Sequence, residues 1–228
     1  MVKSFDLYYN EIPFGDHKKE KLRYYFENGF YSYTDAIFLY SMIRNLKPKR
    51  IIEVGSGFSS LVVLDTNELF FNNEINLTFI EPYPDRLNSL LKDKDYNLTT
   101  IIESEVQKVP ISVFEELNAG DILFIDSTHV VKTGSDVNHI LFNILPSLKR
   151  GVLIHFHDIF YPFEYSKEFV FARFNWNEGY FVKAFLMYNS DFEIRLFSDY
   201  LHKHHKSIFK GMPICYKNSG GNLWIEKK

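Results

Sequence analysis

The chain has 228 residues, with 26 basic side chains against 29 acidic ones and a formal charge of −3. That balance excludes an electrostatic nucleic-acid binder, which needs a basic surface to neutralise phosphates. At 46 % hydrophobic and 24 % charged residues the composition is that of an ordinary globular protein, and the length suits one domain of roughly 100 to 200 residues with small additions. Aromatic content is high at 18 %, with 23 Phe and 15 Tyr, so rings should fill the core and line any cleft. The single cysteine, Cys215, excludes an intramolecular disulfide and a cysteine-based zinc site. Residues 1–10 lack the apolar segment of a secretory signal, and no apolar run approaches the roughly 18 residues needed to span a bilayer. A cytoplasmic protein without a membrane partner is expected.

Residues 1–34 mix aromatic and charged side chains and are expected to form helical pieces packed on a larger domain, residues 35–228. From Asp35 the apolar positions Ile37, Phe38, Tyr40, Met42, Ile43 and Leu46 recur at helical spacing, and this helix should stop before Pro48. Residues 51–54 read as a buried strand that ends in a glycine turn, and Ser59 or Ser60 can cap the helix that follows. The alternation then repeats. Strands are predicted at 77–80, 98–102, 121–125 and 152–156, with helices after Pro84, around 113–117 and over 137–148. A loop over 159–177, a helix over 179–188 and strands at 192–197 and 223–225 close the chain. Strand–helix alternation of this kind gives an α/β, doubly wound, mostly parallel sheet of Rossmann-like type, and the last two strands suggest an antiparallel edge.

The strongest local signal is Glu53-Val54-Gly55-Ser56-Gly57-Phe58-Ser59-Ser60. It sits at the carboxyl end of the first strand, where open α/β sheets bind ligands. A dinucleotide fingerprint would require a third glycine where Ser60 stands. Glu53 would repel a pyrophosphate but suits a ligand carrying an ammonium or sulfonium group, which points to S-adenosylmethionine. Glu81, at the end of the second strand, can accept both ribose hydroxyls of either ligand.

These residues resemble the class I S-adenosylmethionine-dependent methyltransferases, in particular a small bacterial group with Gly-Ser-Gly, Phe-Ile-Asp-x-x-His and His-Asp motifs. Here the motifs read Glu53 to Ser60, Phe124-Ile125-Asp126-Ser127-Thr128-His129 and His157-Asp158, in that order over residues 35–158. The resemblance implies a seven-stranded sheet with an antiparallel last strand. It also implies cofactor contacts from Glu53, Gly55, Ser56, Gly57, Ser59, Glu81 and Asp126, with Glu103 or Ser104 beside the adenine.

Asp126 ends the fourth strand and His157-Asp158 the fifth, with His129 one turn beyond, so all four should meet in one crevice as the catalytic set. Two chemistries compete. In one, Asp126, His157 and Asp158 hold Mg²⁺ or another divalent ion that lowers the pKa of an acceptor hydroxyl. In the other, His129 or His157 is the general base. The acceptor would be a hydroxyl on a small molecule or sugar, between walls drawn from Phe160, Tyr161, Phe163, Tyr165, Trp176, Tyr31 and Tyr33. Rings do not by themselves choose between a phenol and a glycan. His155 reads as a core histidine, and His202, His204 and His205 as a basic loop rather than a metal tract. The alternatives are an NAD-dependent oxidoreductase or epimerase, and a non-catalytic module that only binds S-adenosylmethionine. The aromatic N-terminal segment could also support a homodimer.

Overall fold

A computed structural model describes residues 2–228. Seven strands, β1 (Arg50–Val54), β2 (Asn76–Ile80), β3 (Thr99–Ile102), β4 (Ile122–Ile125), β5 (Leu153–Phe156), β6 (Phe192–Phe197) and β7 (Leu223–Lys227), form one sheet in the order β3-β2-β1-β4-β5-β7-β6. The pairs from β3 through β5 are parallel, while β7 is antiparallel to both β5 and β6. The strand order reverses between β1 and β4, which is where doubly wound sheets open a ligand crevice.

Around the sheet lie α1 (Val2–Tyr9), α2 (Thr34–Leu46), α3 (Phe58–Phe71), α4 (Asp85–Leu90), α5 (Ile111–Phe114), α6 (Asp136–His139), α7 (Leu145–Ser147), α8 (Lys167–Phe171), α9 (Glu178–Leu186) and α10 (Ser198–His204). The central strands are apolar at nearly every position, as strands covered on both faces must be. Alternate side chains feed opposite layers. Ile51, Leu77, Phe79 and Phe124 pack with α2, α3 and the N-terminal residues Phe5, Phe14, Tyr24 and Phe26. Ile52, Ile80, Leu123 and Ile154 pack with Val137, Leu141, Ile144 and Val182.

The N-terminal segment is held by more than rings. Arg23 is 3 % exposed and donates to Asp65 at 2.7 Å, to Glu68 at 2.8 Å and through Nε to Asp95 at 2.7 Å. The backbone N–H groups of Arg23 and Tyr24 both reach Asp65, each at 2.9 Å. A buried guanidinium shared by three carboxylates ties this segment to α3 and to the turn before β3.

Three local expectations are corrected. The helix expected around 113–117 is one turn, α5, placed immediately after Pro110. The helix over 137–148 is interrupted by a π turn, Ile140–Ile144, because Pro146 lacks the N–H that would have paired with the carbonyl of Phe142. The loop expected over 159–177 contains α8, whose start is capped by Ser166 accepting from the Phe169 N–H at 3.3 Å. Among the described residues, no helix is long and apolar enough to cross a membrane.

Candidate active site

β1 and β4 are paired in register up to Val54 and Ile125, so Gly55 and Asp126 leave the sheet side by side. Gly55 adopts φ +81, and a Cβ there would lie 1.8 Å from the Asp126 carbonyl oxygen. Only glycine permits that approach. Gly57 is different: a Cβ would meet nothing nearer than Arg86 Cδ at 3.8 Å, and its N–H is capped by Ser60 Oγ at 3.0 Å. The second glycine therefore leaves open space before the N-terminus of α3.

Glu53 is fully buried. Its Oε1 accepts from Ser59, while Oε2, like the hydroxyl of Ser56, has no hydrogen-bond partner among the described residues. Burial pushes the Glu53 carboxyl up to about 8, against the hydrogen bonds from Ser59 and Ser60. A buried carboxyl with an orphaned oxygen beside an open glycine turn fits a cationic ligand group. Glu81 is more engaged than expected: Oε2 accepts from the Ser56 N–H at 3.1 Å and Oε1 from the Tyr83 N–H at 2.9 Å. It clamps the glycine turn while remaining on the cavity wall.

Two cavities meet across this ridge. One, of about 610 Å³, is lined by Val54, Ile80, Tyr83, Val106, Gln107 and Thr128 among others. The second, of about 460 Å³, is lined by Ser56, Gly57, Ser59, His129, His157 and Asp158, with Phe30, Tyr31, Phe58, Phe174 and Trp176 as walls. Gly55, Glu81, Asp126 and Ser127 belong to both. Glu53, Glu103 and Ser104 line neither cavity; Glu53 lies buried beneath the glycine turn, and after β3 the chain presents Glu105, Val106 and Gln107 to the first cavity.

The four residues expected to carry chemistry do converge. Asp126 Oδ1 lies 3.4 Å from His129 Nε2 and 3.3 Å from His157 Nδ1. Asp158 faces the same imidazoles at ion-pair distance, 3.9 Å from His129 Nε2 and 3.8 Å from His157 Nε2. Burial alone would raise the Asp126 carboxyl, but His157 and His129 hold it well below the usual carboxylate range. Conversely, burial opposes the charge on His157, yet Asp158, Asp126 and Asp35 push it up to about 10. His129 is likewise held well above its ordinary value, by Asp126 and Glu178 against burial. Both His129 (φ 59) and Asp158 (φ 56) sit in the left-handed region, a costly conformation for non-glycine residues that recurs at functional sites.

A metal set does not emerge from this arrangement. Among the described residues, no group of three His, Cys, Asp or Glu side chains is placed to hold a metal ion. Asp126 and Asp158 instead lie within 3.9 Å of the His129 and His157 imidazoles as ion-pair neighbours. The same pairing raises both imidazoles above their ordinary range and so favours their charged forms.

Sequence reasoning missed Glu178, the first residue of α9, which is 1 % exposed. Its Oε2 lies 2.8 Å from His129 Nδ1 and its Oε1 accepts from Ser127 Oγ at 3.0 Å. Asp35, in the first turn of α2, was also missed; its Oδ1 accepts from the Gly221 N–H at 2.8 Å and lies 3.8 Å from His157 Nε2. Burial raises its carboxyl to about 6, offset in part by His157. The expected wall at Phe160 to Tyr165 borders a separate cavity with Asp199 and Lys203, and Tyr33 stacks on Phe26. Phe30, Phe58 and Phe174 take their place beside Tyr31 and Trp176. His155 is fully buried and shares a 2.7 Å hydrogen bond with Asn222, while His202 stacks on Phe209 at 4.0 Å.

Residues 52–159 match the model of a methyltransferase-domain family. An uncharacterised protein of Archaeoglobus fulgidus is 40 % identical over 100 residues, 42 % of this chain and 43 % of that protein, so the chain aligns with under half the length of this relative. Among solved structures, a Podospora anserina methyltransferase with S-adenosylhomocysteine bound has a TM-score of 0.55 at 14 % identity, covering 100 % of this chain and 87 % of its own. A Klebsiella pneumoniae protein named as an O-methyltransferase candidate gives a TM-score of 0.52 at 14 % identity, covering 99 % and 87 %. At such identity these likenesses establish the fold. Residues 52–159 are thus similar to a methyltransferase-domain family, and the chain as a whole has the fold of the methyltransferase structures it matches.

Proposed function

We propose that this protein transfers the methyl group of S-adenosylmethionine to a hydroxyl on a small molecule. The observation that carries the reading is the junction of the two cavities at Gly55, Glu81, Asp126 and Ser127. A ligand with its nucleoside in the larger cavity would cross that ridge and place a cationic amino-acid end beside Glu53, within the space that His129 and Asp158 border. A pyrophosphate on the same ridge would face Glu81 and Asp126, with Glu53 buried close beneath, which disfavours NAD.

When bound, the donor supplies an activated sulfonium methyl, so the protein's task is alignment, proton removal and exclusion of water. Asp158 faces the cavity and is the carboxylate that takes the acceptor's proton. His129 and His157, kept charged by their carboxylate neighbours, face the oxygen as it loses that proton and gains the methyl group. Glu178 and Asp35 hold the two imidazoles from behind. The chain's formal charge of −3 and the acidic floor of the crevice support a small, non-nucleic-acid acceptor.

The test is transfer of labelled methyl groups to a panel of hydroxylated compounds, with Asp158→Asn as the comparison. The variant should keep its affinity for S-adenosylhomocysteine and lose turnover by about 10²- to 10⁴-fold, the usual contribution of a positioned proton acceptor. Full turnover in the variant would overturn the role given to Asp158, and label transferred to nucleic acid would overturn the acceptor class.

A further inference from the structure

Resting on the methyltransferase reading, the geometry points to a narrower acceptor: an uncharged, planar aromatic compound whose ring lies in the slot bounded by Phe30, Phe58, Phe174 and Trp176 and whose hydroxyl reaches His129 and Asp158.

The walls are paired rings. Phe30 and Phe58 stack at 5.5 Å between centroids with an interplanar angle of 8°, and the Arg86 guanidinium lies 4.3 Å over Phe30. Phe174 and Trp176 stack at 4.9 Å and 21°, and Trp176 approaches the His129 ring at 4.3 Å. All of these residues border one cavity. Phe30 is 60 % exposed and Phe174 45 %, a large apolar area left open at the mouth of an otherwise acidic crevice.

The second wall is fixed against the catalytic histidine. The N–H groups of Asn177 and Glu178, the two residues after Trp176, donate to the His129 carbonyl at 3.0 and 3.1 Å. Asn177 Oδ1 accepts from the Val131 N–H at 2.6 Å, and Glu178 grips the ring of His129. Trp176 is thus set at a defined distance from the reacting groups, as alignment of an acceptor requires.

The chemistry of these walls separates a flat ring from a sugar. A glycan brings several hydroxyls, each costly to bury without a partner. Above the floor the slot offers aromatic carbon and one guanidinium that is already seated on Phe30. An arene needs only offset or edge contacts with rings, which these walls supply. A negatively charged ring is disfavoured by Asp126, Asp158 and Glu81 on the floor. The balance of the step is simple: the aryl O–H bond breaks, its proton passes to Asp158, an aryl O–CH3 bond forms as the donor's S–CH3 bond breaks, and the donor leaves as its neutral thioether.

The test uses the full chain saturated with S-adenosylhomocysteine and titrated calorimetrically with 2-naphthol, and with methyl glucoside as the polar comparison. With S-adenosylmethionine in place of the thioether, formation of 2-methoxynaphthalene is followed chromatographically. Trp176→Ala and Phe30→Ala should each weaken 2-naphthol by about three- to tenfold while leaving S-adenosylhomocysteine affinity intact, which also verifies that the variants fold. Binding of S-adenosylhomocysteine without binding of 2-naphthol, equal affinity for methyl glucoside, or insensitivity to both substitutions would each overturn the aromatic acceptor and leave the cofactor reading standing. Failure to bind S-adenosylhomocysteine would overturn the methyltransferase reading and the slot's role with it.

Discussion

If a cationic cofactor group docks against Glu53, as proposed, binding should release a proton. The buried Glu53 carboxyl is pushed up to about 8 in the ligand-free protein, so near neutral pH the protonated form is favoured. A cation seated against Glu53 selects the carboxylate. Binding near pH 7 should therefore release a proton from this site, up to about one per ligand, and affinity should rise with pH below about 8 and flatten above it. The assay is calorimetry of S-adenosylmethionine binding in buffers of differing ionisation enthalpy. The slope of observed enthalpy against buffer enthalpy counts the protons, and Glu53→Gln should remove this contribution. The same group acts on stability in the unliganded protein. Because its folded pKa lies above the ordinary value, its contribution is fully present below about 4.5 and is lost as pH rises through about 8, so Glu53→Gln should flatten the fall in melting temperature over that window. A slope near zero in the parent protein, with affinity constant from pH 6 to 8, would refute the placement of a cation beside Glu53.

Three further outcomes are expected. Glu178→Gln removes the charge 2.8 Å from His129 Nδ1 and should lower turnover by about 10- to 100-fold, the worth of a charged hydrogen bond, without changing affinity for S-adenosylhomocysteine; unchanged turnover in a methyl-transfer assay would contradict it. Gly55→Ala forces a Cβ to within 1.8 Å of the Asp126 carbonyl and should destabilise the fold by more than about 3 kcal/mol in urea denaturation. Arg23→Met strands the buried carboxylates of Asp65 and Asp95 and should cost about 3–5 kcal/mol, read as a lower thermal midpoint; a cost below about 1 kcal/mol would mean that the segment is held by its rings alone.

The sheet was legible because its strands are short apolar runs between glycines, prolines and helical periods, and because residues buried on both faces leave little freedom of assignment. The crevice followed from topology: Gly55, Asp126 and His157 all stand immediately after parallel strands. What the sequence did not reveal is held together by tertiary packing. Glu178 lies 49 positions from His129, and nothing around it marks a buried carboxylate; only the fold of the α8–α9 segment over the crevice brings it there. Asp35 looked like an ordinary acidic residue in the first turn of a helix, yet it accepts from the Gly221 N–H across the molecule. After β3, one turn of 3₁₀ helix puts Glu105, Val106 and Gln107 on the cavity wall, beyond Glu103 and Ser104. Ser166 was a usable capping signal for α8, but that helix buries none of its own residues and so shows no periodicity.

The central claim is that the glycine turn and its acidic neighbours form a pocket for S-adenosylmethionine. Calorimetric titration of the parent protein with S-adenosylhomocysteine and with NAD, repeated on Glu53→Ala, tests it most directly. The account predicts saturable one-to-one binding of S-adenosylhomocysteine, none of NAD, and loss of binding in the variant. Binding of NAD alone, or S-adenosylhomocysteine affinity undiminished by Glu53→Ala, would contradict it.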